Sequence, residues 1–163
     1  MANRDHLNHG SADLIITIIT VSSTREHSTD ISGETAERQF STISTSLSRR
    51  IIKDSEASIK KMIDEESGSN VLVFLGGTGP SRLDVTTRTL RKYCQKEIPG
   101  FGEIFRRRSE DSAGVMAYLS DASMFIDNGR VIFSLPGSVN AQQTAFPIIR
   151  EMVSHAIHEA NKE

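Results

Sequence analysis

NVLVFLGGTGPSRLDVTT, residues 70–87, is the stretch from which the rest of the chain can be read. Its opening, residues 70–75, is a short continuous apolar run and predicts a buried strand. Gly76, Gly77 and Gly79 follow, with Thr78 between the last two. Glycine has no side chain to hold a ligand away and reaches backbone angles that other residues avoid. A strand that ends in such a loop presents bare peptide N–H groups to an anion. Asp84 comes shortly after the glycines, and a helix is expected from Thr86. Loops after the carboxyl ends of strands are the usual ligand sites of α/β sheets. The competing reading is a tight strand-to-helix turn, because glycines punctuate turns everywhere. The stretch is neither a P-loop, which needs Gly-Lys-Ser/Thr, nor a G-x-G-x-x-G fingerprint.

Upstream, residues 14–21 read LIITIITV, β-branched and apolar almost throughout. A strand apolar on both faces belongs in the middle of a layered α/β sheet. Residues 22–32, SSTREHSTDIS, form a polar loop rich in hydroxyls, with Arg25 and Asp30. Gly33 then leads into a helix whose stripe is Ala36, Phe40, Ile43 and Leu47, a single helical face. A short strand is expected over residues 47–53. Asp54 and Ser55 stand where a helix cap belongs, and Ile59, Met62 and Ile63 give the next helix its inner side.

Downstream, residues 86–94 predict a helix with Leu90 and Cys94 on its inner side. Pro99-Gly100 is expected to break the chain before a helix over residues 101–109. Its three consecutive arginines, Arg106 to Arg108, cannot share one face. Residues 123–127 and 130–135 read as strands around Asn128-Gly129, a pair favoured in tight hairpins. The second strand ends in Pro136-Gly137-Ser138. Ser138 is placed to cap a final helical region running from Ala141 to Ile157, which Pro147 is expected to kink or divide. Strands and helices alternate, which predicts helices on both sides of a mostly parallel sheet. The hairpin adds one antiparallel strand near an edge. Strand-end geometry would then gather three loops, residues 22–32, 76–84 and 136–138.

A chain of 163 residues suits one domain, and its net charge of −2 offers no basic field to nucleic acid or anionic lipid. No apolar run is long enough for a membrane span. Residues 1–12 are polar, lack the apolar core of a signal peptide and are expected to form a flexible arm. The single cysteine, Cys94, has no internal disulfide partner, and a cytoplasmic setting is expected.

Five motifs stand in register over most of the chain. They are Val21-Ser22-x-x-Arg25 with Asp30-x-Ser32-Gly33; Gly76-Gly77-Thr78-Gly79-Pro80; Arg82-x-Asp84-Val85-Thr86; Pro99-Gly100-Phe101-Gly102-Glu103; and Pro136-Gly137-Ser138. Together they resemble the MoaB/MogA family of molybdenum cofactor biosynthesis proteins, to which the gephyrin and plant Cnx G domains belong. The resemblance implies a three-layer α/β/α sandwich over a single domain, residues 13–163, with a mostly parallel sheet and one antiparallel edge strand. It implies a homotrimer or homohexamer. It also implies transfer of AMP from ATP to the terminal phosphate of molybdopterin, with magnesium as the assisting cation. Pyrophosphate is released, and a downstream metal-insertion protein would take the product. A MoaB-type protein that binds molybdopterin or its precursor without catalysis is the alternative.

By the same resemblance, Asp54 and Asp84 are the catalytic and magnesium-binding residues. Asp84 would position metal and nucleotide, and Asp54 would orient the reacting phosphates. Magnesium takes oxygen ligands, commonly one or two carboxylates plus phosphates. A helix cap is the plainer role for either aspartate. Gly76, Gly77, Thr78, Gly79, Pro136, Gly137 and Ser138 would hold the nucleotide. Ser22, Arg25, Asp30, Ser32, Gly33, Ser109 and Ser120 would face the pterin. The sequence departs from the family pattern at Lys53, Leu75, Thr87, Arg88 and Asp121. The last puts an anion where an arginine is usual, a local change of two charges.

Overall fold

Six strands pair into one sheet in the order β2-β1-β3-β6-β5-β4. The computed structural model describes residues 13–162. The expected arm, residues 1–12, lies outside the described residues. In chain order the elements are β1 (Ile15–Val21), α1 (Ile31–Phe40), β2 (Ser46–Ile52), α2 (Glu56–Glu65), β3 (Val71–Leu75) and α3 (Thr86–Tyr93). There follow β4 (Lys96–Ile98), α4 (Pro99–Ala113), a 3₁₀ helix (Gly114–Leu119), β5 (Ser123–Asp127), β6 (Arg130–Leu135) and α5 (Val139–Ala160). Strands β2, β1, β3 and β6 run parallel, and antiparallel pairing is confined to the β6-β5-β4 edge.

Alternate side chains of each strand point to opposite faces, and both faces are apolar. On one face Ile16, Ile18, Val71, Val73 and Phe133 pack against α1, α4 and α5 through Phe40, Phe101, Phe105, Ile149 and Val153. On the other, Ile19, Leu72, Phe74, Phe125 and Ile132 pack against α2 and α3 through Ile59, Ile63 and Leu90. The result is the expected three-layer α/β/α sandwich. Six phenylalanines are fully buried: Phe40, Phe74, Phe101, Phe105, Phe125 and Phe133. Each contributes about 1.5–3 kcal/mol of apolar burial.

The chain steps outward from β1 to β2, then crosses back to β3 on the other side of β1. The α1 crossover packs on one face and α2 on the other. The strand order therefore reverses between β1 and β3, where a crevice opens beyond the carboxyl ends of the strands.

Several expectations change in the structure. Helix α1 begins at Ile31, before Gly33, because Asp30 caps it by accepting the Gly33 N–H at 3.0 Å. It ends at Phe40, short of Ile43 and Leu47, where Ser41 and Thr42 hydroxyls donate to the carbonyls of Arg38 and Gln39. Pro99 does not interrupt the chain. It occupies the first turn of α4, where a missing N–H costs nothing. Strand β4 carries no sequence period and exists through its pairing with β5. Helix α5 runs through Pro147 as one helix, held on the sheet by the buried Phe146, Ile148 and Ile149 on either side. The Asn128-Gly129 turn is as expected, with φ of 49° and 73°.

Candidate functional site

The three small-residue or polar loops meet above the β1/β3 switch point. Gly76 has φ +107°, and a Cβ there would lie 2.7 Å from the Val21 carbonyl oxygen. Gly77 has φ +68°, and a Cβ there would lie 2.3 Å from Thr86 Oγ1. Only glycine allows this turn so close to β1 and the start of α3. The Gly76 N–H bonds the Leu135 carbonyl at 2.8 Å, and a Cβ on Gly137 would lie 3.3 Å from Gly76 Cα. The glycine loop and the 136–138 loop therefore touch. Arg25 joins them from the loop after β1: its guanidinium donates to Gly137 O at 3.2 Å and to Ser32 Oγ at 2.8 Å.

Among the described residues, the N–H groups of Gly77, Thr78 and Gly79 donate no hydrogen bond. Asp84 Oδ2 accepts the Ser81 N–H at 3.0 Å, which folds the loop back on itself. Asp84 does not cap α3, whose N-terminus has no side-chain cap. A Cβ on Gly79 would stand 2.7 Å from Asp84 Oδ2, so a side chain there would press on the carboxylate.

Two clefts flank the 82–85 segment. One, about 360 Å³, is lined by Gly77, Thr78, Gly79, Asp84, Pro136 and Gly137, with Met116 and Leu119 as an apolar wall. The other, about 410 Å³, is lined by Ser22, Ser23, Thr24, Asp54, Arg82 and Leu83. Asp54 lies two residues beyond the end of β2, and its N–H bonds Ser23 Oγ at 3.3 Å. The cap of α2 is Ser55, not Asp54. Asp54 Oδ1 is buried and has no hydrogen-bond partner. Burial pushes the Asp54 carboxyl above its ordinary range, and the charge of Asp84 pushes it further the same way. The two carboxylates thus feel one another across the 82–85 segment. Among the described residues, no three His, Cys, Asp or Glu side chains gather into a ready-made metal site. Two acids with one orphaned oxygen suit a hard cation whose other ligands are phosphate and water oxygens.

The expected pterin-facing residues do not form one surface. Ser22 lines the Asp54 cleft, and its Oγ accepts the N–H groups of Thr24 and Arg25. Ser32 is tied to Arg25. Asp30 is buried behind both, 1 % exposed, capping α1 and accepting Thr20 Oγ1 at 2.6 Å. Gly33 packs against that carboxylate, leaving no room for a Cβ. Ser109 and Ser120 lie on the opposite flank, in a third cleft of about 230 Å³ that Ser138 and Asn140 also line. Ser109 Oγ is engaged with Phe105 O at 2.8 Å, and Ser138 Oγ caps α5 through the Ala141 N–H. Pro136 and Ser120 border both this cleft and that of the glycine loop. Met116 and Leu119 were not assigned to the site from the sequence, and Arg82 was read only as part of the Arg82-x-Asp84 motif. The apolar run between Gly114 and Ser120 was the available signal. Cys94 packs beside the α2/α3 cluster, where burial pushes its thiol up to about 12.

An α/β/α sandwich that bares peptide amides and two acids at its switch point belongs to the proteins that hold a ligand beyond the strand ends. Residues 15–155 match the family model described as a probable molybdopterin binding domain. The chain is 34% identical over 146 residues to a probable molybdopterin adenylyltransferase of Methanocaldococcus jannaschii, covering 86% of this chain and 90% of that one. It is 35% identical over 154 residues to molybdenum cofactor biosynthesis protein B of Staphylococcus aureus, covering 89% and 90%. The structure of the tungsten cofactor synthesizing protein MoaB from Pyrococcus furiosus superposes with a TM-score of 0.83 at 32% identity, covering 92% and 98%. The chain belongs to the MoaB/MogA family of molybdenum cofactor biosynthesis proteins.

Proposed function

We propose that this chain is a molybdopterin adenylyltransferase working on one domain, residues 13–163. The terminal phosphate oxygen of molybdopterin attacks the α-phosphorus of ATP. The bond to the β-phosphate breaks, and pyrophosphate leaves. Both reactants are anions, so the site must offset their repulsion before an oxygen can reach phosphorus. The free amides of Gly77, Thr78 and Gly79 are fixed donors for this. The observation that carries the reading is the pair Asp54–Asp84, whose charges act on one another although they line adjoining clefts, with Asp54 Oδ1 buried and unpartnered. Such a pair repels itself unless a cation joins it.

Asp84 and Asp54 would hold magnesium. The ion supplies charge neutralisation of the triphosphate and of the departing pyrophosphate. Met116 and Leu119 offer the glycine-loop cleft an apolar wall for a flat heterocycle. Gly76 and Gly137 let the two loops approach, and Pro136 and Ser138 shape the rim. Arg25 and Ser32 brace that rim, Asp30 and Gly33 support Arg25 from beneath, and Ser120, which borders the glycine-loop cleft, offers its hydroxyl to the pterin. By family resemblance the working form is a trimer or hexamer in the cytoplasm, handing its product to a metal-insertion protein. Molybdenum or tungsten would enter only at that later step. Among the described residues no helix is long and apolar enough to cross a membrane.

Incubation with molybdopterin, ATP and magnesium should yield adenylylated molybdopterin and pyrophosphate in equal amounts. Asp84→Ala should abolish both. No product from the intact protein, or unchanged turnover in the variant, overturns the reading. The family departures Leu75 and Asp121 favour a second reading, a protein that binds molybdopterin without turnover. Calorimetry separates them: the second predicts pterin binding with no magnesium-dependent ATP binding.

A further inference from the structure

We infer that Arg91 and Asp121 are positioning residues that aim the peptide groups of the glycine loop. Asp121 stands where the family resemblance expects an arginine, yet its carboxylate does not confront the ligand unopposed. Arg91 of α3 grips it with two bonds, Nη1 to Oδ2 and Nη2 to Oδ1, both 3.1 Å. The same guanidinium uses Nε and Nη2 to grip Glu97 of β4, both at 2.7 Å. Glu97 also accepts the Ser123 hydroxyl at 2.9 Å. A lone exposed ion pair does little. This one is a double fork, two bonds to each carboxylate, the arrangement in which arginine holds position best.

The main chain of Asp121 carries that anchorage into the site. Its N–H donates to Thr78 O at 2.8 Å. Its carbonyl accepts Thr87 Oγ1 at 2.8 Å, and Thr87 in turn meets Ser134 Oγ at 2.7 Å. Thr78 C=O and Gly79 N–H belong to one rigid trans peptide, so they point in opposite directions. Holding the carbonyl against Asp121 therefore turns the free Gly79 N–H away from it and fixes its direction. A loop of glycines has little stiffness of its own, and this anchor supplies it from outside. The exchange of a cation for an anion at position 121 is thus met by Arg91 rather than left as a defect.

The second readout below rests on the proposed nucleotide role of the glycine loop; the first does not. In the full-length protein without ligand, Arg91→Ala should speed hydrogen exchange of the residue-121 amide ~3- to 10-fold, while the buried amides of β3 stay unchanged. Unchanged exchange at residue 121 overturns the inference. With ATP and magnesium, Arg91→Ala and Asp121→Asn should each raise the KM for ATP ~3- to 10-fold and leave kcat within about twofold; the double variant should lose little more than either single one. Additive losses, or losses confined to kcat, overturn it. Asp121→Arg brings the family-typical cation but sets it against Arg91, and it should weaken ATP binding; tighter binding overturns the inference. Faster exchange in a protein that never turns over ATP would leave the anchor standing and remove the adenylyltransferase reading instead.

Discussion

The two ends of the sheet are built from similar residues and differ in what they leave unpaired. At the amino ends of β3 and β6 lies a cleft of about 470 Å³, larger than the two that flank residues 82–85, lined by Lys60, Asp64, Tyr93, Asp127, Asn128 and Arg130. Its charges are spoken for. Arg130 pairs with Asp127 at 2.6 Å and donates to the carbonyls of Ile63 and Glu66 at 3.0 Å. Lys60 pairs with Asp64, and the Tyr93 hydroxyl donates to Glu56. At the carboxyl ends the clefts are smaller, yet three consecutive amides and a buried carboxylate oxygen lack partners. Buried polar groups are satisfied unless something outside the chain satisfies them. Unspent hydrogen-bonding capacity, not volume, marks the site.

Substitution at each end should separate chemistry from stability. The largest effect is expected from Asp84→Asn. The amide can still accept the Ser81 N–H, so the loop fold survives, but the charge is gone. Adenylylation should fall ~10²- to 10³-fold, the usual loss for one transition-state-stabilising contact, with Tm essentially unchanged. At the other end Asp127→Ala should do the reverse. It strips Arg130, whose side chain is only 13% exposed, of its counter-ion. Denaturant unfolding should show a loss of about 3 kcal/mol, the low end of the range for a broken buried pair because two carbonyl partners remain. The affinity for ATP should not change. Equal effects of the two substitutions on both readouts would erase the contrast between the ends.

Much of this was legible along the chain, and the illegible parts have physical causes. Residues 14–21 and 70–75 announced interior strands because they are apolar on both faces, and β1 and β3 sit side by side inside the sheet, with neighbours on both sides. The convergence of the three loops followed from strand-end geometry. Lys96-Glu97-Ile98 could not be read, because so short and polar a strand is made by its neighbour β5. Pro147 does not divide the last helix, one of the two outcomes expected of it, because local backbone preference yields to the burial of Phe146, Ile148 and Ile149. Asp30 stood among hydroxyls that suggested a ligand-facing loop, yet it is a buried cap. The Arg91–Asp121 contact joins residues 30 apart in sequence, and no local pattern reports a pair that only folding brings together.

A smaller effect tests the apolar wall of the open end. Met116 is 62% exposed, more than a long apolar side chain needs to be unless something covers it. Met116→Ala should weaken ATP binding ~2- to 5-fold, equivalent to about 0.5–1 kcal/mol of lost apolar contact. Inorganic tripolyphosphate, which has no ring to rest there, should bind the variant and the wild type alike. A parallel loss for tripolyphosphate would mean that the residue shapes the loop rather than touching the base.

The smallest effect concerns Asp54 in the absence of any ligand, and its sign is the informative part. Burial and the Asp84 charge raise the Asp54 pKa above the ordinary value of 3.8. The folded protein therefore holds this proton more tightly than the unfolded chain does. Below 3.8 both states are protonated, and the site costs little. As pH climbs from 3.8 through the raised value, the folded state must ionise a carboxyl it would rather keep neutral, and stability is lost. Asp54→Asn removes that cost. The variant should match the wild type in Tm at the acid end, pull ahead as pH rises through the window, and hold a constant lead above it. Magnesium added at neutral pH should raise the wild-type Tm and close the lead, because a cation that binds only the folded state stabilises it by mass action. A lead that is flat across pH, or that magnesium leaves untouched, would show that Asp54 is an ordinary surface acid, and the two ends of the sheet would no longer differ in the way that matters.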